Sequence, residues 1–333
     1  MAGNSNFDTF VTSTLRSYST TIEESVLENQ ALFVQLDARK LVTEKSGGRS
    51  IVEPIMYAAN DTIRSYDRGD RIPLTYQGGI TAAEYDWKFY AGSVSILGTE
   101  AFKNGGSKEQ IFDLVDAKIQ QVELGFIETL SADLYGDGTA NDGKVLTGLG
   151  VAVEDGTAWS SYGGIDSNAA GNAWWQNQFL NFTTFSSGNN FGDTFGTSTY
   201  GIASMRRLWT NCTFGREHPT LIITDSDTFE AYEANIEGDK LRVTDTKLGD
   251  AGFDMLSFKG CPIIHDSDMD AGEMLMLNAN KMRFVRGKGR NMVSTGFQRS
   301  DDQDAKASLT LFAGNLTLQS RRHQGRMTAI TLV

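Results

Sequence analysis

The sequence predicts an α+β protein in which strands and helices occupy separate stretches of the chain. Three observations support this prediction. A β-like pattern covers residues 51–97, a long amphipathic helix follows at 107–135, and alternating strands return near the C-terminus. At 333 residues the chain exceeds what one compact core usually needs, so two subdomains, or one core with long excursions, are expected.

Residues 7–45 are predicted to be helical, because apolar side chains recur there at helical spacings. Two interpretations are open for this stretch. It is either an amphipathic helix packed on its own core or an arm that docks on a neighbouring molecule. Serine and threonine crowd its first half, which favours the arm.

Residues 51–97 indicate two strands separated by about twenty residues of mixed charge. Tyr85, Trp87 and Phe89 alternate with polar residues, as on a half-buried strand. A hairpin of this kind buries little by itself and needs another molecule to cover it. The sequence therefore predicts an arm between subunits. Its predicted intersubunit contacts are the charged residues Arg64, Asp67, Arg68, Asp70 and Arg71.

One long helix is predicted from Ser107 to Tyr135, with Ser107 and Gln110 forming a capping box. A continuous apolar stripe follows at steps of three and four residues. Its members are Ile111, Val115, Ile119, Val122, Phe126, Leu130 and Leu134. The helix would be about 43 Å long, more than twice the usual length. Gly136 is expected to end it as a left-handed residue.

Residues 144–200 are rich in Gly, Ser and Asn with isolated aromatics. Trp174 and Trp175 are expected to be buried where this segment packs on its domain, rather than to form a stacking platform for sugars or bases. The pattern beyond predicts a helix at 199–211, a buried strand, and a helix capped by Asp225 or Asp227. Three short strands are expected in 253–285, and two terminal strands in a hairpin or meander.

The charge balance limits the classes of partner. Thirty Lys+Arg against 42 Asp+Glu give a formal charge of −12, which is unsuited to broad phosphate binding. Cys212 and Cys261 are expected to be buried hydrophobic residues in a reducing compartment. The N-terminal residues lack the pattern of a signal peptide, and no apolar run approaches membrane-spanning length, so a soluble protein made in a cytoplasm is expected.

No motif in the sequence indicates catalysis or a cofactor. The GxSxG, GxxxxGK[ST], HExxH and GxGxxG patterns are absent. His218, His265 and His323 lie in unrelated contexts. We therefore expect no catalytic residue, no cofactor and no enzymatic activity.

Two acidic stretches raise the question of a bound cation. In ADLYGDGTANDG, counting from Asp133, the third position is Tyr135 and the twelfth is Lys144, so the EF-hand template fails. Asp266, Asp268 and Asp270 alternate as cation ligands do, but their glycine comes one residue late. These three are the metal candidates, and a solvated acidic turn is the favoured interpretation.

Basic residues form two runs, each of which could face phosphate. Ion pairs with the chain's own carboxylates are the favoured interpretation for both. The first run is Lys281, Arg283, Arg286, Lys288 and Arg290, and the second is Arg321, Arg322, His323 and Arg326.

The order of these parts resembles the major capsid protein of tailed bacteriophages, which has the Hong Kong 97-type fold. Several phrases carry the resemblance, and their order over the chain is more specific than any one of them. They are GGRSIVEPIMYAANDTIRSY, LYGDGT followed by GL, YGGIDSNAAGNAWW, FKGCPIIHDSDM with LMLN, and GNLTLQSRRHQGRMTAI.

The resemblance implies five regions of a capsid subunit. They are an N-terminal helical arm at 1–49, an extended β-hairpin called the E-loop at 50–92, a peripheral domain at 93–144 with its spine helix at 107–135, an axial α/β domain at 145–280, and return strands of the peripheral domain at 281–333. Lys88 is the one lysine of the hairpin and lies near its base, so the family's Lys–Asn crosslink is not expected.

The implied function is that of a structural head protein. Copies would assemble as hexamers and pentamers of an icosahedral shell, in the host cytoplasm and then in the virion. The implied partners are the chain itself, scaffold, portal and decoration proteins, and packaged double-stranded DNA contacted weakly and without sequence specificity. No membrane is implied.

Two other classes remain as alternatives from the sequence alone. One is another self-assembling virion or tail component, which would not need a helix of spine length. The other is a carbohydrate-binding or carbohydrate-active protein. Its candidate residues are Trp159, Trp174, Trp175, Asp225 and Asp227.

Overall fold

The structure is a computed structural model that describes residues 31–72, 74–99, 108–196, 198–235, 256–299 and 304–332. Most of the predicted N-terminal helix and the capping residue Ser107 lie outside the described residues. The longer helices are α1 Ala31–Ala38, α2 Lys108–Tyr135, α3 Tyr200–Cys212 and α4 Ser226–Asn235. Single helical turns occupy Leu149–Ala152 and Phe182–Ser186, and 3₁₀ turns occupy Ala173–Trp175 and Ala279–Lys281. The short turn Ala140–Gly143 contains left-handed Asn141 and Asp142.

The strands are numbered in chain order. They are β1 Val42–Lys45, β2 Ile51–Met56, β3 Ile80–Tyr85, β4 Lys88–Leu97, β5 Ser161–Tyr162, β6 Ile165–Asp166, β7 Gln178–Asn181, β8 Thr194–Phe195, β9 Ser198–Thr199, β10 Leu221–Thr224, β11 Leu256–Phe258, β12 Cys261–His265, β13 Met274–Leu277, β14 Met282–Gly287, β15 Val293–Ser294, β16 Gln298–Arg299, β17 Ala305–Leu318 and β18 Gly325–Thr328.

The first sheet is built on the long strand β17. Strand β4 pairs antiparallel along one edge of β17, in a register that runs from Ala305↔Leu97 to Gly314↔Lys88. Strands β14, β15 and β16 pair antiparallel along the other edge, and β1 adds to β14 in parallel. The first sheet therefore joins the N-terminal and C-terminal parts of the described chain.

The second sheet has the strand order β11-β12-β10-β13-β18-β7. Alternate residues of β10 enter different cores: Leu221 and Ile223 face the main core, whereas Ile222 faces a second core. Helix α3 lies over β18 and β7, and α4 lies over β12. Because both faces are covered, β10, β12 and β13 read as nearly continuous apolar runs.

Helix α2 begins at Lys108 and ends at Tyr135, close to the predicted bounds. The side chains of Ile119, Phe126, Leu130 and Leu134 are buried, as the apolar stripe predicted. The helix packs on β4. The side chains of Phe126 and Val122 lie directly over Gly92, where a Cβ would be 2.7 Å from each of them.

The predicted role of Gly136 is wrong, since Gly136 is not left-handed and the positive φ, 76°, belongs to Gly138. The chain returns directly onto the helix end. The Gly150 amide donates to the Gly136 carbonyl at 3.1 Å, and a Cβ at Gly148 would lie 2.4 Å from the carbonyl oxygens of Asp133 and Gly136. Glycine is required at 148 for this close approach.

Two further predictions of local structure are corrected. The N-terminal helix does not reach residue 45: α1 packs its Leu32, Phe33 and Leu36 into the main core, and β1 follows as a sheet strand. Of the stretch 253–285, the described residues form four strands rather than three. The predicted cap of α4 is confirmed as Asp225 rather than Asp227, since Asp225 Oδ2 accepts the Thr228 amide at 3.3 Å.

The terminal strands do not form a hairpin or meander. Strand β17 belongs to the first sheet, whereas β18 lies between β13 and β7 in the second. The return region predicted at 281–333 is therefore shared between the two sheets. Among the described residues, no helix is long and apolar enough to cross a lipid bilayer.

Candidate assembly surfaces

The base of the β2–β3 hairpin is fixed to the body of the subunit. Its antiparallel register runs from Ile51↔Tyr85 to Met56↔Ile80. Ile51 and Ile55 point into the main core, as strand alternation requires. The Tyr85 hydroxyl donates to the Leu318 carbonyl at 2.8 Å, which ties the hairpin to β17.

Glu53 is a second anchor of the hairpin base, and it occupies the inward position between Ile51 and Ile55. Its side chain is buried, and its carboxylate lies 3.4 Å from Lys45 Nζ and 3.6 Å from Arg283 Nη1. Gln319 Nε2 donates to Glu53 Oε2 at 3.2 Å. Because three partners surround the buried carboxylate, the direction in which the hairpin leaves the subunit is defined. Glu53 was not among the predicted contact residues, although its inward place in an alternating strand was a usable signal.

The outer part of the hairpin, residues 57–79 apart from 73, exposes large apolar side chains. Leu74 is 96% exposed and Tyr76 is 97% exposed. Ile63, Tyr66 and Ile72 are exposed on the same segment. Exposed apolar residues concentrated on one projecting segment mark a surface that another molecule covers.

The predicted contact residues of the hairpin lie on this same exposed segment. The Asp67 and Asp70 carboxylates shape its turn, since Asp70 Oδ2 accepts the Asp67 amide at 2.8 Å and Asp67 Oδ1 accepts the Arg68 amide at 2.7 Å. Arg64 donates to the Arg71 carbonyl. Within the described chain, the side chains of Arg68 and Arg71 form no ion pair. Their role between subunits stays a prediction.

The tryptophans pack within the subunit. Trp175 is fully buried and donates from Nε1 to the Tyr162 carbonyl at 2.9 Å. Trp174 is half-buried and stacks on Tyr57, with 4.9 Å between ring centroids. Trp159 packs edge-on against Phe179. These contacts support the interpretation of packing and leave no flat tryptophan platform for a sugar.

Most of the basic residues pair with the chain's own carboxylates, as predicted. Lys281 lies 3.3 Å from Glu217, and Arg286 lies 3.3 Å from Glu44. Arg283 pairs with Glu53, and Arg326 pairs with Glu273 at 2.6 Å. Lys288 and Arg290 differ from these, since neither pairs with a carboxylate of the described residues.

The sequence left open that Arg321 faces phosphate. The structure contradicts this possibility. The side chain is fully buried in the segment that joins β17 to β18. Its Nη2 lies 2.9 Å from Glu154 Oε2, and its Nε donates to the Ala152 carbonyl at 2.9 Å. Arg321 is therefore a structural cation. Because it lies in a run of basic residues, the sequence did not distinguish it from its exposed neighbour Arg322.

The acidic turn at 266–270 is part of the subunit's own hydrogen bonding. Asp266 accepts the Tyr135 hydroxyl at 2.7 Å and the Asp268 amide at 3.1 Å. Asp270 lies 3.9 Å from Arg326. Among the described residues, no group of three or more His, Cys, Asp or Glu side chains is arranged to hold a metal ion.

The two cysteines are buried and unpaired by a disulfide, in agreement with the sequence analysis. Burial raises the pKa of the Cys212 thiol to about 12 and that of Cys261 to about 12. Both therefore remain protonated at neutral pH and are unsuited to nucleophilic chemistry.

Comparison with known protein families and with curated proteins finds no match to this sequence. Comparison with solved structures finds similar folds. The capsid of cyanophage A-1(L) is 17% identical with a TM-score of 0.59, covering 87% of this chain and 90% of that one. A capsid subunit of the native GTA particle is 10% identical with a TM-score of 0.57, covering 91% of each chain.

A third similar structure is the SrpI encapsulin of Synechococcus elongatus PCC 7942. It is 9% identical with a TM-score of 0.51, covering 88% of this chain and 87% of that one. The chain thus has the fold of a class of shell-forming subunits. That fold is the Hong Kong 97-type α+β fold, as the sequence resemblance predicted.

Proposed function

We propose that this protein is the major capsid protein of a tailed bacteriophage, a structural subunit that assembles with itself into hexamers and pentamers of an icosahedral shell. The observation that carries the proposal is the β2–β3 hairpin. It is anchored at Glu53 and Tyr85, and it projects side chains such as Leu74 and Tyr76 that its own subunit leaves bare. In a shell, the adjacent subunit would cover them.

The alternatives have less support. A tail tube or sheath subunit does not call for helix α2 or for similarity to capsid subunits over about nine-tenths of the chain. A carbohydrate-binding role would need exposed aromatic platforms, whereas Trp175 is buried and Trp174 is covered by Tyr57.

Scaffold, portal and decoration proteins are further proposed partners, together with packaged double-stranded DNA touched without sequence specificity. The net charge of −12 fits a container whose wall does not hold its contents. The proposed location is the virion, after assembly in the host cytoplasm.

The test is assembly of the purified protein, followed by negative-stain microscopy and light scattering. Wild-type protein should form closed shells or rings of five or six subunits. The double variant Leu74→Ser/Tyr76→Ser should keep the subunit's unfolding temperature, because both side chains are exposed in the subunit, and should lose closed shells. Thr75→Ser, between the two on the same segment, should assemble like wild type.

Tubes in place of shells would favour a tail component, and normal shells from the double variant would contradict the role of the hairpin.

A further inference from the structure

A cleft lies between two glycine-containing basic loops that are distant in sequence. The first loop, KSGGR at 45–49, follows β1, and the second, RGKGR at 286–290, follows β14. Parallel pairing of Lys45 with Gly287 and a 2.8 Å hydrogen bond from the Lys288 amide to the Lys45 carbonyl hold the loops side by side. The cleft has a volume of about 340 Å³, and Trp87, Phe89 and Ala313 line it from the sheet.

A glycine in each loop leaves free space beside the backbone. Gly47 has φ of 82° and Gly289 has φ of 84°, in the left-handed region that other residues rarely adopt. No atom lies within 4 Å of the place where a Cβ would stand on either residue. The subunit itself therefore leaves the space beside both backbones free for an incoming chain.

Lys288 and Arg290 are exposed on this cleft and lack a carboxylate. The other cations of the same basic run, Lys281, Arg283 and Arg286, each pair with a glutamate. In the part of the chain that the structure describes, no carboxylate lies within ion-pair distance of Lys288 or Arg290.

An aromatic ring accompanies the two cations. Phe89 is 59% exposed, and the Arg290 guanidinium lies 5.8 Å from its ring centroid. The cleft thus combines positive charge with an exposed apolar surface. This combination suits a peptide segment that carries both a carboxylate and an apolar part.

We propose that the cleft receives a carboxylate-bearing segment of a second copy of this chain, with Lys288 and Arg290 pairing to the carboxylate and Phe89 packing against its apolar neighbour. This inference rests on the proposed shell function. Each copy carries a charge of −12, so identical copies repel one another at long range. The two unpaired cations on the open cleft provide a local, oriented attraction that offsets this repulsion. The 42 acidic residues of each copy supply carboxylates that can pair with them.

The first test is a zero-length carbodiimide reaction on assembled particles, which joins a lysine amine only to a carboxylate in direct contact. Particles are assembled from an equal mixture of ¹⁴N- and ¹⁵N-labelled subunits and analysed by peptide mass spectrometry. We expect Lys288 to couple to an Asp or Glu of a differently labelled subunit. The same reaction on unassembled subunits is the control and should leave Lys288 uncoupled.

The second test compares two double variants with the same change of net charge. Lys288→Glu/Arg290→Glu should raise the subunit concentration needed for assembly at least tenfold without lowering the unfolding temperature. Arg206→Glu/Arg207→Glu, which reverses two exposed cations on α3 away from the cleft, should raise it less than threefold.

The outcomes separate this inference from the proposed function. Absence of any shell from wild-type protein would overturn the proposed function. Normal shells in which Lys288 stays uncoupled would overturn the inference alone, as would equal assembly defects in both double variants. Protection of Lys288 from amine acylation only in DNA-filled particles would assign the cleft to nucleic-acid phosphate and also overturn it.

Discussion

Arg321 and Glu154 form a buried ion pair at the point where the chain crosses from the first sheet to the second. Arg321 Nη2 lies 2.9 Å from Glu154 Oε2, and the two side chains are 0% and 8% exposed. Arg321 Nη1 also donates to Ser167 Oγ at 2.7 Å, and the guanidinium lies 5.2 Å from the Tyr162 ring centroid. One cation therefore holds together segments that are far apart in sequence.

Replacing Arg321 with Met should destabilise the subunit by about 3–5 kcal/mol, because the Glu154 carboxylate would stay buried without its partner. Arg321→Lys should recover only part of this loss, since an ammonium does not reproduce the guanidinium fork. Urea unfolding followed by circular dichroism measures both values. Arg322→Met, at the exposed adjacent position, is the control and should change stability by about 0.5 kcal/mol or less. Similar losses from Arg321→Met and Arg322→Met would contradict the structural role of the pair.

The contact between α2 and β4 predicts opposite effects for two glycine substitutions. A Cβ at Gly92 would lie 2.7 Å from both Phe126 and Val122, so Gly92→Ala should destabilise the subunit by about 1–3 kcal/mol through overpacking. Gly125 lies on the exposed face of the same helix, with no atom within 4 Å of a built Cβ. Gly125→Ala should therefore stabilise by about 0.5–1 kcal/mol.

A double-mutant cycle checks that the cost at Gly92 comes from Phe126. Phe126→Ala alone should cost about 3–5 kcal/mol, as for a buried phenylalanine. In the Phe126→Ala background the added cost of Gly92→Ala should shrink, because the ring that the new methyl group meets is gone. Thermal unfolding of the four proteins gives the coupling. Simple additivity would mean that the new methyl group is opposed mainly by Val122, the other side chain of α2 that lies 2.7 Å from it, and not by Phe126.

The sequence was sufficient for elements whose signal is local. The apolar stripe of α2 repeats at helical spacing, and its buried members Ile119, Phe126 and Leu130 are those expected. The hairpin was recognisable from two alternating runs around a polar middle. The end of a strand limited the cap of α4 to Asp225 or Asp227, and the structure shows that it is Asp225.

Features that depend on distant pairing were not predictable from the sequence. Strands β17 and β18 alternate like a hairpin, yet each finds partners in a different sheet, since pairing is decided by tertiary packing rather than by pattern. Arg321 has the same local context as the exposed Arg322, and its burial depends on Glu154, 167 residues away. Gly136 has a helix-ending context, but its neighbour Gly138 adopts the left-handed conformation.

The acidic turn is expected to be structural rather than a calcium site. Asp266→Ala should cost about 1–3 kcal/mol, because the Tyr135 hydroxyl would lose its acceptor. Asp270→Ala should cost about 0.5 kcal/mol or less, since its side chain is 81% exposed and lies 3.9 Å from Arg326. Differential scanning calorimetry with calcium and with EDTA should give the same unfolding temperature for the wild type. A calcium-dependent rise that Asp266→Ala abolishes would establish a metal site instead.

The last prediction concerns the pH dependence of stability at His323. Its ring is half-buried, Nδ1 lies 2.8 Å from Ser320 Oγ, and Nε2 has no hydrogen-bond partner among the described residues. Burial, followed by the nearby positive charge of Lys281, lowers the pKa of His323 below its ordinary value of 6.5. The folded protein therefore holds the imidazole neutral at pH values where the unfolded chain is already protonated.

The sign of the effect follows from proton binding. Between the lowered folded pKa of His323 and 6.5, the unfolded state binds more protons, so the free energy of unfolding rises with pH. The stability is fully present above about pH 7 and is lost as the pH falls through this window. His323→Gln removes the titrating group, so its unfolding free energy should depend less on pH between 5 and 7 than that of the wild type. Urea unfolding across that range, with the pKa of His323 measured by NMR, tests this. An equal slope in both proteins, or a folded pKa above 6.5, would contradict it.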